Sequence, residues 1–200
     1  METLVEHLDA YGYEVFNIDY PSTNHTIMEL VDLVQKKIET LQRSSTQKIN
    51  FVGYSMGCLI TRGILFKYRP QNLGRVVMLG PPNQGSEVAD FFKGFFLYQK
   101  IYGPAGQELG TEHQDYSELL GKVDFELGVI AGDRSIDPIS SIIIPGTDDG
   151  KVGVGRTRLQ GMQDHIVVHA THTFMMHNKT VLQQVVHFLQ TGSFREEESK

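Results

Sequence analysis

The stretch of the sequence with the clearest chemistry is Gly53-Tyr54-Ser55-Met56-Gly57. An apolar run, Lys48 to Val52, leads into it, and a helical pattern from about Met56 to Tyr68 follows and stops before Pro70. Gly-x-Ser-x-Gly between a strand and a helix is a sharp turn that lifts the serine hydroxyl above the end of the strand. The turn brings strand and helix close together, so residues without a side chain are expected two positions to either side of the serine. A strained turn is also where functional groups tend to be held. A glycine-rich turn whose serine only caps the helix would have the same composition. The strand before it and the helix after it favour the functional reading.

A serine hydroxyl is a weak nucleophile and needs a neighbouring base to take its proton. Histidine suits that role when a buried carboxylate fixes its tautomer and stabilises the imidazolium. Eight histidines are available: His7, His25, His113, His165, His169, His172, His177 and His187. His165 and His169 fall in a predicted strand, where side chains alternate between faces, and His187 falls inside the last predicted helix. Asp148 and Asp149 sit together before Gly150, ahead of a β-like stretch, Lys151–Val154. Asp133 and Asp137 also follow a strand, but Gly132-Asp133 and Asp137-Pro138 read as turn chemistry. Cys58, one turn into the helix after Ser55 with no base beside it, reads as a small buried core residue.

These groups need a scaffold, and the sequence supplies alternating short β-branched runs and amphipathic helical runs, the pattern of an α/β fold with a mostly parallel sheet. A first helix is expected from about Thr3 to Tyr11, ended by Gly12, and a strand from Glu14 to Asp19 before Pro21. Thr26 and Glu29 form a capping box for a helix carrying Ile27, Leu30, Val31, Val34, Ile38 and Leu41 on one face. Further strands are expected at Arg75–Leu79, Glu126–Ala131 and Asp164–Ala170, with a shorter apolar run at Ile142–Ile144. A last helix spans about Asn178 to Gln190. One domain over residues 1–190 is the expectation for 200 residues, with residues 81–120 as a cap or acyl-pocket region and 191–200 as a polar, disordered tail.

Composition narrows the function classes. The net charge is −6 with no basic stripe, so nucleic acid is not expected as a partner. A single cysteine excludes an internal disulfide and a cysteine metal cluster. No apolar run approaches the roughly 18–20 residues of a membrane span. Met1-Glu2-Thr3 leads straight into a charged helical pattern rather than a signal peptide.

Four segments together carry a resemblance: Gly53-Tyr54-Ser55-Met56-Gly57, Leu79-Gly80-Pro81-Pro82-Asn83-Gln84-Gly85-Ser86, Asp148-Asp149-Gly150-Lys151-Val152 and Thr171-His172-Thr173-Phe174. With them, the chain from Met1 to about Gln190 resembles the bacterial lipases and esterases of the α/β-hydrolase fold. The resemblance implies carboxylic-ester hydrolysis through an acyl-enzyme on Ser55, with no metal and no organic cofactor. It implies the chain order serine, acid, histidine, which selects His172, just past the last strand, with His177 as fallback. It implies Asp149 as the acid, with Asp148 the alternative. The implied oxyanion hole takes one backbone N–H from Met56. Tyr54, Phe91, Phe92, Phe95 and Phe96 are expected to line the substrate pocket. A Phe-rich helix packed on the core would show the same aromatic cluster from Phe91 to Tyr102.

The family draws a second oxyanion N–H from a loop after an early strand, often with a His-Gly sequence, and that strand lies between those matching Glu14–Asp19 and Lys48–Val52. Here the first helix begins almost at Met1, so the expectation is an N-terminally shortened form. The expected partner is a small-molecule ester or a lipid. The same site would serve acyl transfer or thioester and amide cleavage, since fold does not fix substrate. A non-catalytic binding protein on the same scaffold is the reading from another class. An assembly module whose absent strand comes from another chain is a third.

Overall fold

The computed structural model describes residues 1–41, 47–112 and 120–195, with only the backbone of 97–102. Four strands, β1 (Ile49–Tyr54), β2 (Leu73–Leu79), β3 (Leu127–Gly132) and β4 (Asp164–Val168), form one parallel sheet in the order β1-β2-β3-β4. Tyr54, Leu79, Ile130 and Ile166 stand in register across it. Strands that are all parallel need crossovers on their faces. The chain supplies α1 (Glu2–Ala10), α2 (Ile27–Leu41), α3 (Met56–Tyr68), α4 (Glu87–Phe92), α5 (Phe96–Gln107), α6 (Pro138–Ile143) and α7 (Lys179–Thr191).

Alternation along the strands divides the core. Val77, Leu79, Ile130 and Val168 face α1 and α7, meeting Leu4, Leu8, Val181, Val185 and Leu189. Val76, Met78, Leu127 and Val129 face the other way and pack with Cys58 and Leu65 of α3. Each fully buried Leu, Val or Ile contributes about 1.5–3 kcal/mol of transfer free energy. The outer face of α3 carries α2 through Ile27, Leu30, Val31, Leu59, Ile60 and Ile64. The capping box forms: the Thr26 N–H donates to Glu29 Oε2 at 2.8 Å and the Glu29 N–H to Thr26 Oγ1 at 3.3 Å. Buried Arg62 ties α3 to the loop beyond β2, donating to Asn83 Oδ1 at 3.4 Å.

Four expectations are corrected. Residues 14–19 form no strand, and no backbone hydrogen bond joins them to β1 among the described residues. Their sequence suits a strand, but a strand needs a pairing neighbour. The apolar run Ile142–Ile144 is not a strand. Asp137 caps α6, accepting from the Ser140 N–H at 3.2 Å, and Pro138 suits its first position. Residues 191–195 are not a loose tail. Phe194 is 7% exposed against Phe188, and the Arg195 N–H donates to Gln184 Oε1 at 2.9 Å. The rest of the expected tail, 196–200, and His113 lie outside the described residues. The β-like stretch Lys151–Val154 is a turn, with one antiparallel bridge from Asp148 to Gly153 and a 3-10 turn at Val154–Thr157.

Candidate active site

Ser55 sits between the end of β1 and the start of α3 with φ 52° and ψ −125°, and it is the one non-glycine residue at positive φ among the described residues. Such a conformation costs on the order of 1–3 kcal/mol and persists only where surroundings impose it. Here the Ser55 N–H donates to the Leu79 carbonyl at 2.9 Å and the Ser55 carbonyl accepts from the Cys58 N–H at 3.0 Å. Gly53 is required, because a Cβ there would lie 2.9 Å from Cys58 Cα. The matching expectation for Gly57 does not hold. A Cβ on Gly57 meets nothing closer than the Tyr20 hydroxyl at 3.4 Å, an ordinary contact.

His172 arrives from the loop after β4, and its Nε2 lies 2.9 Å from Ser55 Oγ. Its Nδ1 lies 2.7 Å from Asp149 Oδ2. Asp149 is 2% exposed, and its second oxygen accepts from the N–H groups of Lys151 at 2.9 Å and Val152 at 2.8 Å. An ionised carboxylate only accepts, so the proton between Asp149 and His172 belongs to Nδ1. That leaves Nε2 bare toward the serine hydroxyl. The backbone fixes the same contact, since the His172 N–H donates to the Asp149 carbonyl at 2.8 Å.

Of the sequence-selected residues, the structure therefore brings together Ser55, His172 and Asp149. Asp148 points elsewhere, its carboxylate accepting from the Gly150 N–H at 2.7 Å and the Ser141 hydroxyl at 3.1 Å. Asp133 pairs with His169 at 2.9 Å, and His177 with Thr3 Oγ1 at 2.7 Å. Asp137 pairs with Lys151 at 3.2 Å, and its carboxyl is held down to about 2 by the Ser140 side chain, the Ser140 N–H and Lys151. Cys58 is fully buried, and burial pushes its thiol up, away from nucleophilic use. Met56 opens α3, where its N–H has no acceptor within the helix. Phe91, Phe92 and Phe95 form a three-ring cluster, with neighbouring centroids 5.0, 5.8 and 6.2 Å apart, and Phe96 is exposed beside them.

Two contributions were not foreseen from the sequence, one of them from Tyr54, which was expected only as a lining residue of the substrate pocket. The Tyr54 hydroxyl donates to the His172 carbonyl at 2.9 Å, fastening the histidine loop to β1. Gly80 lies at φ +53°, and a Cβ there would stand 3.0 Å from His172 Nδ1 and 3.1 Å from Asp149 Oδ2. A glycine just after β2 was the available signal for the second. Nothing in the sequence marked the hydroxyl of Tyr54.

Parallel strand order and a strained serine turn ahead of a helix fit one known architecture, and comparison with solved structures decides the point. A mature lipase of Bacillus licheniformis superposes with a TM-score of 0.79 at 18% identity, over 93% of this chain and 83% of that one. The chain has the α/β-hydrolase fold. A phospholipase of Legionella pneumophila follows at TM-score 0.71 and 17% identity, over 95% of this chain and 56% of that one. A metagenomic carboxyl esterase gives 0.69 and 16%, over 85% and 57%. The chain thus spans little more than half the length of the latter two. No protein-family model and no curated protein sequence matches the chain. Among the described residues, no helix is long and apolar enough to cross a membrane, and no cluster of side chains is arranged to hold a metal ion.

Proposed function

We propose that the protein is a serine hydrolase of carboxylic esters, with Ser55 as nucleophile, His172 as general base and acid, and Asp149 as the carboxylate that orients it. The observation that carries this reading is the relay Ser55–His172–Asp149, at 2.9 and 2.7 Å, with the serine on a strained turn. In the first step Ser55 Oγ bonds to the ester carbonyl carbon while His172 Nε2 takes its proton. The carbonyl π electrons move to oxygen, and the Met56 N–H stabilises that charge. The C–O bond to the alcohol then breaks, and His172 returns its proton to the leaving oxygen. Water, deprotonated by the same nitrogen, repeats the sequence on the acyl-enzyme and frees the acid.

The decisive experiment is labelling with a fluorophosphonate, followed by turnover of a p-nitrophenyl ester. The expected result is one label, on Ser55, with turnover lost in Ser55→Ala while the fold and melting temperature are retained. Unchanged turnover in Ser55→Ala would remove the serine turn from the mechanism.

A further inference from the structure

An oxyanion needs more than one donor to be held well, and the elbow offers the N–H of Met56 from one side. Another polar hydrogen stands nearby. Tyr20 lies just before Pro21, at the end of the extended segment that precedes α2. Its ring packs in the same apolar cluster as Met56. Its hydroxyl comes within 3.4 Å of where a Cβ on Gly57 would be. Cβ atoms of a helix tilt toward its N-terminus, so that point lies toward the N-terminal end of α3, the end that carries Ser55 and the Met56 N–H. The tyrosine is only half-buried, and its hydroxyl makes no hydrogen bond among the described residues.

We propose that Tyr20 is a catalytic residue, its phenol O–H donating to the carbonyl oxygen of the substrate as charge develops there. The inference rests on the assignment of Ser55 as nucleophile. Bond changes stay as in ester cleavage: Ser55 Oγ bonds to carbon, its proton goes to His172, and the π electrons settle on oxygen. Tyr20 keeps its proton throughout and only donates a hydrogen bond. Burial pushes its phenol up to about 12, with Cys58 adding to the shift, so it stays a donor through the whole working pH range.

The test is Tyr20→Phe, which keeps the ring and its packing and removes one oxygen. On a p-nitrophenyl ester, kcat is expected to fall by about 10²-fold with KM within about two-fold, since a donor used mainly in the transition state acts on kcat. Affinity for an alkylboronic acid, which forms a tetrahedral adduct on serine, should fall in parallel. Rates are referred to the folded fraction from thermal melts, so a destabilised variant still gives an answer. A kcat within about three-fold of the parent, or an unchanged boronate affinity, would overturn the role of Tyr20. A parent protein that neither labels at Ser55 nor turns over any ester would overturn the hydrolase reading itself, and this inference with it.

Discussion

At the scale of single residues, two adjacent aspartates hold different jobs because the turn at 148–153 aims them apart. Asp149 is sealed beneath His172 with both oxygens engaged, whereas Asp148 accepts from Gly150 and Ser141 and braces the turn. On the proposed mechanism, Asp149→Asn places an amide opposite Nδ1 and favours the wrong tautomer. It should lower kcat by about 10³–10⁴-fold. Asp148→Asn retains an oxygen that can accept from Gly150, so it should cost less than about ten-fold in rate and on the order of 1 kcal/mol in stability. Steady-state kinetics and urea melts of the two variants check this, and a larger rate loss in Asp148→Asn would exchange their roles. The sequence could narrow the acid to this pair but not choose by geometry. The choice depends on which carboxylate the turn folds inward, and that is set by the N–H groups of Lys151 and Val152, which every residue type but proline carries.

At the scale of elements, β4 positions the site at both ends. Its exit carries the loop to His172, and its second residue, His165, supports the turn that follows Asp149. His165 Nε2 lies 2.9 Å from Thr157 Oγ1, and Thr157 donates to the Val154 carbonyl at 2.8 Å. Burial, with Arg158 nearby, lowers the His165 imidazole to about 4 from an ordinary 6.5. Between those values the unfolded chain binds more protons than the folded one, so stability rises with pH. The contribution is full above about pH 6.5, is lost as pH falls toward 4, and changes little below that. Urea melts between pH 7 and pH 4.5 should show a loss on the order of 2 kcal/mol after allowance for partial exposure. His165→Gln should remove most of that slope, and an equally steep slope in the variant would point to other groups. Helices α1, α2, α3 and α7 were legible from periodicity, because each buries a regular face, and the four observed strands from short β-branched runs, whereas α4 and α5 fell in a stretch without a regular pattern and α6 read only as a short apolar run. The segment 14–19 was misread for the opposite reason. Its pattern is that of a strand, but strand formation depends on a partner that local sequence does not encode.

At the scale of the whole molecule, the two inner strands of the sheet are covered and the two edge strands, β1 and β4, are not. Val76–Leu79 of β2 and all of β3 are buried, whereas β1, which carries Ser55, is buried only at Gly53. The segment 13–20 packs in the same two clusters as the side chains of β1. Tyr13 and Val15 pack into the cluster of α1 and α7, while Ile18 and Tyr20 pack into the cluster of α2 and α3. Its side chains thus serve both layers, as those of an interior strand would, yet its backbone pairs with no strand among the described residues. Side-chain packing holds this segment, with the Tyr13 N–H on the Leu8 carbonyl at 3.2 Å and the Lys37 ammonium on the Asp19 carbonyl, and Tyr20 at its end depends on that hold. An amide without an acceptor is protected only by burial, whereas a ladder amide exchanges only when the ladder opens. Hydrogen exchange should then separate the two classes. Amides of 14–19 are expected to exchange orders of magnitude faster than those of β2 and β3. Within β1, the Ser55 N–H faces β2, so alternation turns the amides of Asn50 and Val52 to the open edge. They should exchange faster than those of Phe51 and Gly53. Protection of 14–19 equal to that of β3 would mean that a strand occupies the space between that segment and β1, and would place the serine strand inside the sheet rather than at its edge.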